Sequence, residues 1–337
     1  MSNKTDSLRE NEIRSDQYAA EARRLYERDV EKLMDQKDQF VDVSCPACGK
    51  QNYKKWGHKY KITYVMCDNC ETVFVNPRPT PEMLNDYYEN PESYYNFWNN
   101  VIFPASESAR REKIFKPRAE LVKRLCTQHR IETNTLVDVG AGFGTFCEEV
   151  KKLNLFDRVI AIEPTTSLAE TCKKRGLEVI NKPIEEAALE REINVITNFE
   201  VIEHLFSPED FLRSCHKALS PGGVMMITCP NIKGFDIEVL REVSDNMDAE
   251  HLNYFHPVSL RILFQRCGFR VIYVRTPGKL DAELVRKKVL AGEFSLDNEP
   301  FLKQILIDEW DIRGDVFQQF LSKHNLSSNM LMVAQMF

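Results

Sequence analysis

The stretch Leu136-Val-Asp-Val-Gly140-Ala-Gly142-Phe-Gly144-Thr-Phe146 is followed, 19 residues beyond Gly144, by the acidic residue of Val159-Ile-Ala-Ile-Glu163-Pro164. Short apolar runs rich in β-branched residues read as buried parallel strands. Three glycines closing the first run let the backbone approach a ligand that any Cβ would push away. Glu163, at the tip of the second run, is placed to accept both hydroxyls of a ribose. The pattern reads as an adenosine site. A nicotinamide dinucleotide calls for Gly-x-Gly-x-x-Gly, whose third glycine lets a helix pack close beneath a pyrophosphate. Thr145 stands at that position, and the spacing is Gly-x-Gly-x-Gly. This variant suits S-adenosylmethionine (SAM), which has no pyrophosphate and lays its methionine chain along the loop.

The 337 residues, 43% of them hydrophobic, are enough for one large core and a satellite module. No run approaches the roughly 20 apolar residues of a membrane span. Met1 to Glu10 is polar and lacks the apolar segment of a signal peptide, so a cytoplasmic protein is expected, its ten cysteines serving as ligands or core residues rather than disulfides. A formal net charge of -6 argues against nucleic acid as the main partner.

Residues 8 to 40 carry Ala22, Leu25, Tyr26, Val30, Leu33 and Met34 at helical spacing among many charges. A helix laid on the body of the protein is expected; a self-association helix, giving a homo-oligomer, is the alternative. Cys45-Pro-Ala-Cys48 and Cys67-Asp-Asn-Cys70, with 18 residues between Cys48 and Cys67, have the spacing of a zinc ribbon. Four thiolates leave no open position for water, so the Zn²⁺ is structural. Pro77, Pro79 and Pro81 lead out of the ribbon into Tyr87, Tyr88, Tyr94, Tyr95, Phe97 and Trp98, which read equally as a binding wall or as packing between modules. Arg110 to Arg124 reads as a helix.

Strands are expected at Leu136 to Val139, Val159 to Ile162, Glu178 to Ile180, Val195 to Phe199, Val224 to Cys229 and Val271 to Val274, with helices between: a doubly wound α/β sheet. A seventh, Met330 to Phe337, follows a helical insertion at 281–326, and its approach to the sheet is open on pattern alone. The expected division is a charged helix (1–42), the ribbon (43–80), an aromatic-rich connector (81–109) and the α/β domain (110–337).

Ligands bind such sheets at the carboxyl ends of the strands. After the third strand, Ile184 and Glu185 are candidates to meet adenine and its amino group. After the fourth, Thr197-Asn-Phe199-Glu200-Val-Ile-Glu203-His204 crowds two carboxylates and an imidazole onto the end of a buried strand. A sulfonium donor and a hydroxyl acceptor need carboxylates, aromatic faces and a base. The candidates for the base are His204, assisted by Glu203, and the cluster Glu250-His251-Leu-Asn-Tyr254-Phe-His256.

With Val137-Asp-Val-Gly-Ala-Gly-Phe-Gly144, Ile162-Glu-Pro164, Phe199-Glu-Val-Ile-Glu-His-Leu205, Leu219-Ser-Pro-Gly-Gly223 and His251-Leu-Asn-Tyr-Phe255 in this order, the chain resembles class I SAM-dependent methyltransferases over roughly residues 110 to 337. Glu-Val-Ile-Glu-His looks like the ubiquinone-type O-methyltransferase branch. The ribbon running into Asn76-Pro-Arg-Pro-Thr80 is similar to methyltransferases of bacterial surface-polysaccharide and modified-sugar pathways. The resemblance implies a Rossmann-like sheet of order 3-2-1-4-5-7-6 with the last strand antiparallel. It also implies donor contacts from Asp138, Gly140, Gly142, Gly144, Glu163, Phe199 and Glu200. The zinc-ribbon sugar C-methyltransferases carry a further C-terminal domain, whereas this chain ends at Phe337, so O-methylation of a small-molecule sugar or glycan is expected, with C-methylation open. A zinc-bearing RNA methyltransferase and a non-catalytic SAM-fold binding module are the remaining alternatives.

Overall fold

A computed structural model describes residues 8–90, 92–189 and 192–336; residues 1–7 of the expected N-terminal segment and Phe337 of the expected last strand lie outside the described residues. Among the described residues, eleven strands form two sheets. They are β1 (Tyr53–Lys59), β2 (Ile62–Cys67), β3 (Val73–Val75), β4 (Thr135–Val139), β5 (Arg158–Ile162), β6 (Glu178–Ile180), β7 (Ile193–Phe199), β8 (Leu219–Pro230), β9 (Asn253–Tyr254), β10 (Phe269–Arg275) and β11 (Asn329–Met336).

The seven-stranded sheet runs β6-β5-β4-β7-β8-β11-β10, an α/β Rossmann-like arrangement. β4 through β8 pair in parallel, and β11 inserts antiparallel between β8 and β10. The central strands are buried on both faces, and the two-residue period of a strand divides their side chains between two cores. Leu136, Val195, Val224 and Met226 pack with Ala119, Val122, Phe146 and Val150 on one face. Val137, Ile196, Met225 and Ile227 pack with Phe211, Leu212, Leu260 and Phe264 on the other. Every central β→α loop therefore opens at the same edge, which places the glycine loop, Glu163 and the segment after Phe199 together.

The second sheet, β1-β2-β3-β9, belongs to the cysteine module, yet its fourth strand comes from residues 253 and 254. The module is thus tied to the α/β domain by strand pairing. Buried Arg78 adds to the joint by donating to the carbonyls of Val75, Phe206 and Leu252. Helix Ala19–Met34 lies on the body, with Leu25 and Val30 buried. The expected connector begins with a separate helix, Pro81–Glu89, and its remainder from Tyr94 joins the expected Arg110–Arg124 helix in one longer helical run to His129, interrupted by π-turns at Trp98–Ile102 and Arg111–Phe115. The insertion builds its own small core from Ala282, Val285, Leu296, Ile305 and Leu306 against Leu240. No helix among the described residues is long and apolar enough to cross a membrane.

Candidate active site

One cleft of about 1790 Å³ opens at the carboxyl edge of the large sheet, and Gly140, Gly142, Glu163, Phe199, Glu200, Glu203, His204 and His251 all line it. The end beside the glycine loop, the expected donor end, is built mainly from backbone. Gly144, at φ +72, starts helix Thr145–Lys152, and a Cβ there would come within 2.4 Å of Leu177 Cδ1. Gly142, at φ +56, has nothing within 4 Å of where its Cβ would stand: the loop leaves that space open. Buried Glu163 accepts from the amides of Gly142 (2.8 Å) and Thr165 (2.9 Å). Each of its oxygens keeps a further lone pair that can accept another donor. Burial pushes its carboxyl up to about 7. Asp138 lies beneath, accepting from Thr197 Oγ1 at 2.7 Å, and burial pushes it up to about 6. An open cradle beside a carboxylate fits the ribose and methionine portions of SAM.

Phe199 packs edge-on against Phe146 with 4.9 Å between centroids, and the Arg118 guanidinium sits 4.7 Å from its ring. Glu200 holds a left-handed backbone (φ +58), a conformation costing roughly 1–3 kcal/mol in a non-glycine residue and found mostly at functional sites. Its carboxylate accepts from Arg118 Nη2 (2.8 Å), Thr228 Oγ1 (2.6 Å) and Asn329 Nδ2 (2.9 Å).

The opposite end, the expected acceptor end, is made of side chains. The His204 and His251 rings meet edge to face with centroids 4.6 Å apart. His204 Nδ1 lies 3.2 Å from the Glu250 carbonyl, and His251 Nδ1 lies 3.3 Å from the Asn246 carbonyl. A carbonyl can only accept, so both rings carry a proton on Nδ1, which leaves Nε2 as the atom of each ring that can act on an acceptor. Burial, with His251 adjacent, holds His204 well below the usual imidazole range. Burial also pushes Glu203 well above the usual carboxylate range. The loop bearing His251 is tied to the strand end because the amides of Leu252 and Asn253 both donate to the Glu203 carbonyl. Tyr88, Tyr94, Tyr95 and Trp98 line the cleft, with Tyr88 Oη 3.4 Å from His204 Nδ1 and Tyr95 Oη 3.3 Å from Thr165 Oγ1. The tyrosine cluster is therefore a wall of the cleft.

Several candidates lie elsewhere. Tyr254 is fully buried in β9, its hydroxyl held by Asp248, so it backs the His251 ring at 5.7 Å and does not line the cleft. His256 donates Nε2–H to the Cys70 carbonyl at 2.9 Å and serves the cysteine module. Ile184 packs with Phe211, Leu212 and Cys215, and Glu185 beside it also stays off the cleft, because this turn folds down onto helix Pro208–Ala218. Arg118, Asn329 and the N-terminal residues Ile13, Arg14 and Tyr26 line the cleft without having been anticipated. Arg118 and Asn329 sit in runs with no motif, far in sequence from Glu200, and only the folded sheet joins them.

In the cysteine module, the Cys45–Cys70 and Cys48–Cys67 Sγ pairs are each 3.5 Å apart, and all four sulfurs lie within 4.8 Å of one another. A tetrahedral ion with metal–sulfur bonds of about 2.3 Å needs sulfurs about 3.8 Å apart, so the cluster fits one.

Residues 107–274 match the family described as "Methyltransferase domain". The chain is 35% identical over 103 residues to a ubiquinone biosynthesis O-methyltransferase of Caulobacter vibrioides, covering 29% of this chain and 41% of that protein. It is 25% identical over 261 residues to the C-methyltransferase NovU of Streptomyces niveus, covering 74% of this chain and 56% of NovU. The chain thus spans less than two thirds of the length of these curated relatives. Among solved structures it is similar to a SAM-dependent methyltransferase from Clostridium acetobutylicum, at a TM-score of 0.47 and 8% identity, covering 72% of this chain and 97% of that one. The α/β portion of this chain is a class I SAM-dependent methyltransferase domain.

Proposed function

We propose that this chain transfers a methyl group from SAM to a hydroxyl of a sugar, nucleotide-linked or part of a glycan. The observation that carries this reading is the pair of Nδ1-anchored imidazoles opening onto the same cleft as the Gly142 cradle and Glu163. SAM supplies an electrophilic methyl on a sulfonium, and its departure as a neutral thioether needs no acid. The protein's tasks are alignment and removal of one proton. Glu163 holds the ribose, the glycine loop bears the methionine portion, and His204 or His251 takes the hydroxyl proton at Nε2. The tyrosine wall stacks on the apolar faces of a sugar and shields the methyl from water. The cysteine cluster holds a structural Zn²⁺. The ten free thiols suit a reducing, cytoplasmic setting.

C-methylation of a sugar is the second reading, favoured by the wider span of the NovU similarity. The same imidazole would then take a proton from carbon. The test is transfer of isotope-labelled methyl from SAM into fractionated nucleotide sugars, glycan and RNA. Label in a sugar fraction, lost in His204→Gln, is expected, and mapping the methylated atom separates oxygen from carbon. Label confined to RNA would overturn the acceptor assignment.

A further inference from the structure

The insertion at 281–326 lies beyond residues 107–274, the part of the chain that matches the methyltransferase family. Among the described residues nine large hydrophobic side chains stand exposed, and six of them, Leu290, Phe301, Ile312, Val316, Phe320 and Leu326, belong to this insertion. Three of the six share helix Trp310–Lys323 at the four-residue spacing that puts side chains on one face. Ile312 is 75% exposed, Val316 65% and Phe320 48%. The opposite side of the same helix is already occupied. Gly314 and Leu321 are buried there, and Trp310 and Phe317 pack on the insertion's own core. A helix lying on a protein needs one apolar face, and a second one standing in water marks an interaction surface.

The charges around the stripe identify its partner. Glu309 and Lys323 stand about two helical turns before and after Val316, so both fall on the stripe's side. Hydrogen bonds from Gln304 and Arg313 hold the Glu309 carboxyl below the usual carboxylate range. Lys323 is exposed and unpaired among the described residues. Turned end for end about Val316, the stripe becomes its own complement: Val316 meets Val316, Ile312 meets Phe320, and Glu309 meets Lys323. A parallel copy would instead set like charges side by side. We propose that two copies of this chain associate through helix Trp310–Lys323, antiparallel about a two-fold axis at Val316. Such an interface is isologous and closes on itself, each contact occurring twice. Ile312, Val316 and Phe320 form its apolar core, and the two Glu309–Lys323 pairs at its rim set the direction. None of these five residues lines the cleft, so the association stands apart from the methyl-transfer reading.

The experiment is sedimentation velocity on the full chain from about 1 to 100 µM, the range in which an interface of this modest size shows its dissociation. A concentration-dependent species of twice the chain's mass is expected. Val316→Asp sets two like charges across the axis and should weaken association at least about 100-fold. The side chain is 65% exposed, so the melting temperature of the variant at low concentration should match that of the unaltered chain. Lys323→Glu should weaken association about tenfold, and adding Glu309→Lys should restore it, which only the antiparallel arrangement allows. Val316→Cys brings two thiols together at the axis, where helices 8–10 Å apart hold their facing Cα atoms within disulfide reach. Mild oxidation of that variant should give a covalent dimer that the unaltered chain does not form. A monomer throughout the range, a dimer that survives Val316→Asp, or one that Val316→Cys does not lock overturns the proposal.

Discussion

The two ends of the cleft are built on opposite principles. At the donor end, backbone does most of the work: two adjacent parallel strands bring the amides of Gly142 and Thr165 onto one carboxylate, and the partners lie within about two dozen residues of one another. At the acceptor end, side chains converge from an N-terminal helix, a tyrosine wall, a strand end and a distant loop. That loop is also part of the cysteine module's sheet, through β9. The donor end should therefore tolerate damage to the cysteine module, while the acceptor end should not.

The largest effect expected from breaking this asymmetry comes from the cysteines. Cys45→Ser, or metal removal by a strong chelator, removes a site whose binding energy is folding energy, on the order of 10 kcal/mol for structural zinc. Limited proteolysis should open residues 43–80 and the 245–256 loop, with methyl transfer lost, while SAM affinity changes less than tenfold. Equal loss of SAM binding would mean that the two ends are one cooperative unit. Next, His204→Gln should lower kcat by about 10²–10⁴ with the dissociation constant of SAM unchanged. Glu163→Ala should weaken SAM binding by roughly 100-fold, since a charged acceptor of two ribose hydroxyls contributes about 3 kcal/mol. Smaller still is Gly142→Ala. Its Cβ enters the open cradle, and its left-handed φ costs about 1 kcal/mol, so a loss of about tenfold in SAM affinity with a small drop in Tm is expected.

The same asymmetry explains what could be read from the amino-acid sequence. Gly140, Gly142, Gly144 and Glu163 were legible because parallel strands impose fixed spacing between a loop and the next strand tip. That the four cysteines would meet was legible because Cys-x-x-Cys pairs at this spacing can close on one point, and their sulfurs lie within 4.8 Å of one another. His204 and His251 stood out as residue types, but nothing local indicated that they would meet. Tyr254 and His256 shared a run with His251 and yet stay off the cleft, because Tyr254 lies in β9, paired with β3, and His256 caps helix Pro257–Arg266 with its ring on the Cys70 carbonyl. Ile184 and Glu185 were misplaced for a related reason: the turn after β6 is short and its apolar residue finds a deeper site against helix Pro208–Ala218. Arg118 and Asn329 were invisible, since the bond network around Glu200 exists only once β11 lies beside β8.

The last expected effect is a pH dependence of SAM binding. In the ligand-free protein burial raises Glu163 from 4.5 to about 7, so the folded state keeps a proton that the unfolded chain loses near pH 4.5. Stability then falls as pH rises from about 4.5 to about 7, because the folded state binds more protons over that window. Binding runs the other way. Two ribose hydroxyls donate to the carboxylate and a sulfonium lies near it, so SAM selects the ionised form and binds more tightly as pH rises. The affinity should climb by somewhat under tenfold per pH unit below about 7 and level off above it. Asp138 and Glu250, raised to about 6 and about 8 by burial, move stability in the same direction, so melting curves alone do not isolate Glu163. Calorimetric SAM titrations between pH 5.5 and 8, repeated with Glu163→Gln, do. The variant should bind weakly with a flat profile, and a slope that survives the substitution would move the titrating group to Asp138, beneath the glycine loop.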